Sequence, residues 1–481
     1  MKQLVISGSA LETRVALLEN GRPAELYVER PGRASLVGNI YKGRVENVLA
    51  GMDAAFVDIG LDRNGFLYVD EVARPEVRPR GSGKITQLLK GGKELLVQVL
   101  RDPMGGKGPR LTTQLGIAGR YAVYMPLTEA SGVSRRLEGS ERERLRSVCR
   151  ELDLAGGGLI VRTAAEGADA QAIGRELRFL ERVWAGIERR AAAASTPSLV
   201  YAENDLALRS VRDLLGPDVT SVVVDNPKLH RRVVNYLRAV APELASLVSL
   251  EEGAPPLFER FGLEREMKTA LVRRVELPSG GYIVIDHTEA MTIIDVNTGR
   301  YVGRRFLEDT TVKTNVEACR EIVRQLRLRD IGGIIVIDFI DMTAKSNQEA
   351  VLAALEVELA QDRTKTYVVE ISPLGLVEMT RQNTSRGLRD VVTVVCPCCR
   401  GDGRVLSEDS ALIEVERGLR ALARSSVLPA LRVEVHPRVA VRLAAGRNSL
   451  LARLEAETGR RFLLEVANEA APFEHLVVVP D

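Results

Sequence analysis

Two apolar runs that each carry an aspartate at their end constrain this chain more than any other feature. MTIIDVN places Asp295 near the end of one run, and GGIIVIDFIDM places Asp338 at the matching point of the other, 43 residues on. Both read as strands. Between them Val316, Cys319, Ile322, Val323 and Leu326 recur at helical spacing, so Asn315–Leu328 is predicted as an amphipathic helix with Cys319 in its core-facing stripe. A crossover helix of this kind brings the two carboxylates together at the end of a sheet. There a carboxylate is costly to bury unless something pairs with it. One answer is Mg²⁺, which takes one or two carboxylates and keeps waters. The other is that the aspartates cap turns or pair with Arg300 and Arg329. Asn297 lies two residues beyond Asp295 on the same strand face, where its amide can bond a phosphoryl oxygen. Asp341 is predicted to face away from Asp338 if the strand continues.

The rest of the chain divides by pattern. Residues 1–35 read as a hairpin, with runs Thr13–Leu18 and Ala24–Glu29 around Asn20-Gly21. From Val37 to about Thr113, short strands with glycine turns (GNIYKGRVENV, DAAFVDIG, NGFLYVDEV) predict a small β-barrel, with Arg74–Gly92 as a loop within it. Residues 114–199 hold a strand ending at Thr163 and a long helix over Ala170–Ala194. Residues 200–272 and 273–393 read as two α/β blocks, and 404–481 as a small α+β tail with a helix over Ser410–Arg424. No run approaches the ~20 apolar residues of a bilayer span, and the start MKQLVISGSALETRVALLEN has no secretory core, so the cytoplasm is the expected location and no membrane is expected as a partner. A net charge of +2 creates no global field that demands a polyanion.

Three of the five cysteines fall within four residues, which excludes a disulfide framework and points to a metal or redox cluster. Cys396-Pro-Cys-Cys399 has the spacing of half a zinc site, and a structural zinc wants four ligands. The simplest completion takes Cys396 and Cys399 from each of two chains. Remote partners His230, His287, His436 and His475 stay open at this point, as does a redox thiol or C-x-C pairing through Cys398.

The segments IIDVNTGRYVG, KTNVEACREIVRQLRLRDIGGIIVIDFIDM and LGLVEMTR resemble the catalytic region of the ribonuclease E/G family. GNIYKGRV and GMDAAFVDIGLDRNGFL extend the resemblance over nearly the whole chain, in the right order. The resemblance implies a multidomain α+β fold. Its parts are an RNase H-like subdomain in two pieces (1–36 and 200–272), an inserted S1-type OB-fold barrel (37–113) and a 5′-sensor domain (114–199). A DNase I-like catalytic subdomain (273–393), a zinc-link (394–403) and a small C-terminal dimerisation domain (404–481) follow. It implies an endoribonuclease that cuts single-stranded, A/U-rich RNA by Mg²⁺-assisted attack of water, is stimulated by a 5′-monophosphate, and serves rRNA processing and mRNA turnover. By the same resemblance Asp295 and Asp338 hold Mg²⁺, Asn297 contacts the scissile phosphate, and Lys365, in QDRTK, lies near them. Phe56 and Phe66 are the stacking aromatics of the barrel and Lys107 a phosphate contact. Gly119, Val123, Arg135, Arg162 and Thr163 form the 5′-phosphate pocket. Cys396 and Cys399 match the family's zinc-link, C-P-x-C-x-G, shared between protomers of a homodimer or dimer of dimers. Cys398 departs from that pattern at its variable position. The end at Asp481 points to the shorter branch of the family, without a disordered scaffold tail.

Taken alone, several of these residues have plainer readings. Phe56 and Phe66 serve equally as core, Lys107 as a solvated loop lysine, and Arg162 as a solvated strand end. Two rival classes follow: a non-catalytic RNA-binding protein that uses only the barrel, and a DNA nuclease.

Overall fold

Asn20 and Gly21 adopt positive φ, 50° and 76°, the backbone a two-residue hairpin turn needs, and the strands Thr13–Glu19 and Arg22–Glu29 pair across it. The computed structural model describes residues 1–481 except 74–83, 104–106, 130, 155, 300–306, 373, 383–385, 400, 447, 448, 470, 480 and 481. It adds a strand to this hairpin. Lys2–Gly8 pairs antiparallel with Thr13–Glu19 and parallel with Val219–Val224, which pairs in turn with Val248–Leu250. One five-stranded sheet thus joins the N-terminus to residues beyond 218. Leu4, Ile6, Val15, Leu17, Val222 and Val224 pack on one face, below the helices Leu206–Leu214 and Pro227–Val240, and Val5, Ala16, Leu18 and Val223 pack on the other against Leu257, Phe258 and Leu263.

The chain between these segments builds two further bodies. Ile40–Leu49 pairs with both Ala54–Asp58 and Glu94–Arg101, and Gly65–Tyr68 and Arg110–Thr112 complete the ring, giving a closed five-stranded barrel consistent with an OB-fold. Part of the loop expected over Arg74–Gly92 lies outside the described residues (74–83). The remainder is corrected: Ile85–Leu88 is a helical turn whose Ile85 is fully buried in the barrel core. An apolar residue with a core to enter orders its segment even among loop-forming neighbours. Next, Ala122–Met125 and Gly158–Val161 centre a four-stranded sheet backed by the helices Gly139–Glu151 and Ala170–Ala193.

A six-stranded sheet carries both aspartates. Its order is Arg274–Glu276, Tyr282–His287, Met291–Asn297, Gly333–Asp338, Leu376–Arg381, Thr366–Ile371. Ile283, Ile285, Ile294, Val296, Ile335 and Ile337 bury one face against Cys319, Ile322 and Leu326 of the helix Leu307–Leu328 and Val351 and Leu355 of the helix Lys345–Leu359. Each such fully buried side chain contributes about 1.5–3 kcal/mol. The opposite face is open among the described residues, with Ile293 and Ile334 exposed.

Thr393–Asp481 is a second compact unit. Arg461–Val466, Ala430–Val435 and Leu476–Val478 form a sheet packed with the helices Glu408–Ser425, Pro437–Ala444 and Leu450–Thr458. Among the described residues no helix is long and apolar enough to cross a membrane.

The far end of the six-stranded sheet is tied by Arg381, only 4% exposed. Its Nε donates to Asp362 (2.8 Å), Nη1 to Asp330 (3.0 Å) and to the Ile331 carbonyl (2.9 Å), and Nη2 to Thr364 (3.1 Å). Removing the shared cation strands buried carboxylates, so Arg381→Met is expected to destabilise this unit by about 3–5 kcal/mol, read as a lowered urea midpoint.

Candidate active site

Asp295 and Asp338 are direct register partners on adjacent parallel strands, whose axes lie about 4.7–4.9 Å apart. Both side chains stand on the open face, at the exposed positions of the alternating burial pattern. Asn297 donates its Nδ2 to Asp295 Oδ2 at 2.8 Å, which orients both groups. Among the described residues no cation forms an ion pair with either aspartate. Arg300 lies outside the described residues, and Arg329 donates instead to Gln325 (2.5 Å). The Asp338 carboxyl is raised above its ordinary value by burial, then by the neighbouring Asp295 and Asp341 carboxylates. The strand ends at Asp338, so the alternation that would turn Asp341 away from the pair does not extend to it.

The strand's exit is pinned from the helix below. Fully buried Asn315 donates Nδ2 to the Ile340 carbonyl (2.9 Å) and accepts from the Ile340 amide (3.1 Å). Two like-charged carboxylates with no protein cation between them are the hard-oxygen set that a small divalent ion satisfies. Among the described residues no third His, Cys, Asp or Glu completes a closed protein cage. This donor set fits Mg²⁺, which retains several waters, better than Ca²⁺ with its six to eight oxygens.

Lys365 is not part of this cluster. It precedes the strand Thr366–Ile371, whose Thr366 end pairs with Arg381, five positions along the neighbouring strand from the Leu376 that faces Asp338. That offset is about 17 Å along the strands. The expectation that Lys365 lies near the aspartates is thus corrected, because antiparallel pairing sends its end of the strand the other way. Arg136 donates to the carbonyl of nearby Arg363, so this segment adjoins the sheet of residues 117–161.

On that sheet the expected pocket residues do converge. Arg162 donates Nη1 to the Gly119 carbonyl (2.6 Å) and pairs through Nη2 with Asp213 (2.7 Å). Thr163 shares a hydroxyl contact with Ser134 (3.1 Å), next to exposed Arg135. Val123 pairs with Ala118, beside Gly119. The carboxylate of Glu176, fully buried, accepts the amides of Arg120, Tyr121 and Ala122 at 2.6–3.0 Å. A Cβ on Gly119 would stand 2.5 Å from that carboxyl carbon, so any larger residue there must displace the carboxylate from its three amides.

On the barrel, Phe56 and Phe66 are register partners in edge-to-face contact, centroids 5.9 Å apart. Neither belongs to the barrel core; both stand half-buried on its outer surface. The same row continues through Asn47, opposite Phe56, and Arg110, opposite Phe66. Exposed Lys107 leads into this row, since the Phe66 amide donates to the Pro109 carbonyl.

In the second unit, Cys396, Cys398 and Cys399 lie in one turn. The exposed Cys396 thiol is held below its ordinary value by the amides of Cys399 and Cys398. His436 and His475 are engaged elsewhere, with the Arg438 amide and with Glu434 (2.7 Å). Cys319 is core, as expected: burial pushes its thiol up to about 12.

Residues 116–384 match the profile of the Ribonuclease E/G family. Along its length the chain is 40% identical, over 472 residues and 96% of each protein, to Ribonuclease G of Salmonella typhimurium (strain SL1344) and to Ribonuclease G of Escherichia coli (strain K12). The chain belongs to the ribonuclease E/G family. Ribonuclease E of Escherichia coli (strain K12) is 39% identical over 453 residues, covering 92% of this chain but 42% of that protein. Within a ribonuclease E/G scaffold, two supporting residues escaped the sequence reading, Asn315 and Glu176. Each is a polar residue on a buried helical stripe, Asn315 four positions before Cys319 and Glu176 between Ile173 and Leu180, and that misplacement was the available signal.

The raised Asp338 carboxyl has a measurable consequence. A carboxyl with a raised folded value binds its proton more tightly when folded, so metal-free protein loses stability as pH climbs above the ordinary 3.8. In chelator, Asp338→Asn is expected to gain stability relative to wild type across that window and to match it below. A flat difference in unfolding midpoint would refute the raised carboxyl.

Proposed function

We propose that this member of the ribonuclease E/G family is a Mg²⁺-dependent endoribonuclease that hydrolyses phosphodiester bonds in single-stranded, A/U-rich RNA, leaving 5′-phosphate and 3′-hydroxyl ends. The observation that carries it is the register pairing of Asp295 with Asp338 on an open sheet face, in a chain 40% identical to proteins named Ribonuclease G over 96% of its length. Asp295 and Asp338 would hold the ion, which would supply an oriented, acidified water and counter-charge for the phosphorane-like transition state. The Asn297 amide, already turned toward Asp295, has a second N–H to offer a phosphoryl oxygen.

RNA reaches the site through the outer surfaces of the inserted bodies. Phe56 and Phe66 stack bases at ~1–3 kcal/mol each without regard to sequence, which suits single strands, and Lys107 and Arg110 flank them with charge. The Arg162 fork and Thr163 hydroxyl take the 5′-monophosphate that stimulates cleavage. Gly119 serves through its carbonyl, because its amide is taken by Ala122. Lys365 belongs with this pocket rather than with the aspartates. Cys396 and Cys399, with the same pair from a second copy, would close a Cys₄ zinc site and link a homodimer, free to associate further as a dimer of dimers. In the cell such an enzyme acts in the cytoplasm on rRNA precursors and mRNA.

Asp295→Asn and Asp338→Asn are expected to lower the cleavage rate of a single-stranded oligoribonucleotide by a hundredfold or more, ~2.7 kcal/mol of barrier, while RNA binding persists. The non-catalytic alternative expects no Mg²⁺-dependent cleavage in the wild type. Metal analysis with light scattering is expected to give about half a zinc per chain and dimers that dissociate in Cys396→Ser and Cys399→Ser but not in Cys398→Ser. One zinc per monomer would exclude the shared site.

A further inference from the structure

Arg162 is not a free arginine awaiting an anion. Its Nη2 pairs with Asp213 Oδ1 at 2.7 Å and its Nη1 donates to the Gly119 carbonyl at 2.6 Å. Two of its five N–H groups are used, and three are left for a ligand. Asp213 is in turn held by a second guanidinium. Arg212, buried and 7% exposed, donates Nε to Asp213 Oδ1 (3.1 Å) and Nη2 to Oδ2 (2.9 Å). Arg212 is itself fixed by Glu203 (3.0 Å) and the Ala118 carbonyl (3.3 Å), the residue before Gly119. The Asp213 carbonyl accepts from Arg363 Nη1 (3.1 Å), on the segment that leads to Lys365. Burial alone would raise the Asp213 carboxyl, but Arg212 and then Arg162 more than offset it, so it stays charged and holds the fork at neutral pH.

We propose that Asp213 is the positioning residue of the 5′ pocket: it sets the Arg162 guanidinium in the orientation that receives a terminal phosphate and so determines how far the enzyme prefers 5′-monophosphorylated RNA. The proposal rests on the 5′-monophosphate reading given above. Two physical effects oppose each other here, which makes it testable. A carboxylate beside an anion pocket repels phosphate, so if Asp213 acted only as a charge, removing it would strengthen the preference. A carboxylate that holds the fork spares the ligand the cost of ordering a long side chain, so removing it weakens the preference, by about two- to tenfold.

The experiment compares kcat/KM on one single-stranded oligoribonucleotide carrying a 5′-monophosphate or a 5′-hydroxyl, for the wild type, Asp213→Asn and Asp213→Glu. The readout is the ratio of the two values, because a misfolded fraction lowers both equally and leaves the ratio alone. The ratio is expected to fall in Asp213→Asn through a higher KM on the phosphorylated RNA, and to fall less in Asp213→Glu, which keeps a charged partner for Arg212 and Arg162. A wild-type or higher ratio in Asp213→Asn overturns the proposal while the pocket reading stands. Should Asp213→Asn not fold, the ratio is read on Asp213→Ala, which also removes the charge, and a wild-type ratio there does the same. No preference in the wild type itself overturns the pocket reading and this proposal with it.

Discussion

The parallel pairing of Met291–Asn297 with Gly333–Asp338 is the constraint on which the six-stranded sheet and its aspartate pair depend. Side chains alternate along a strand, so a slip of one residue would turn Asp338 toward the helices and Ile337 toward solvent. The register is held from the buried side, where Ile294, Val296, Ile335 and Ile337 meet the two helices. Asn315 then fixes the backbone two residues past Asp338. Stability is therefore built on one face of the sheet, and the other is left free to hold two repelling carboxylates that no described protein cation neutralises.

Joining so many inserted bodies needs contacts between segments far apart in sequence, and arginine makes them. Arg327 of the helix Leu307–Leu328 reaches Glu19 (2.7 Å) and Glu25 (3.0 Å) of the N-terminal hairpin. Arg381 gathers Asp330 and Asp362, and Arg212 gathers Glu203 and Asp213. These guanidiniums are at most 7% exposed. The planar fork can serve two acceptors at fixed angles, which an ammonium cannot, and the chain carries 56 arginines against 11 lysines.

Local chemistry carried much of this into the sequence. Asn20-Gly21 announced the hairpin, the glycine-spaced strands announced the barrel, and the stripe around Cys319 announced the crossover helix, although the helix starts at Leu307 rather than Asn315. The aspartate pair was legible because a carboxylate ending an apolar strand is anomalous wherever it occurs. What stayed hidden was set by distance along the chain. The hairpin pattern could not show that Lys2–Gly8 pairs with Val219–Val224, and the motif around Lys365 could not show which end of the sheet it would reach. Glu176 and Asn315 are polar residues where the pattern expects apolar ones, and their partners are backbone groups that no motif records.

The central claim is that Asp295 and Asp338 together form a site for one hard divalent cation. Its most direct test is a titration with Mn²⁺ followed by electron paramagnetic resonance on zinc-loaded protein in the absence of RNA. One Mn²⁺ bound per chain, displaced by Mg²⁺ and lost in both Asp295→Asn and Asp338→Asn, is the result this account predicts; binding that survives both substitutions would contradict it.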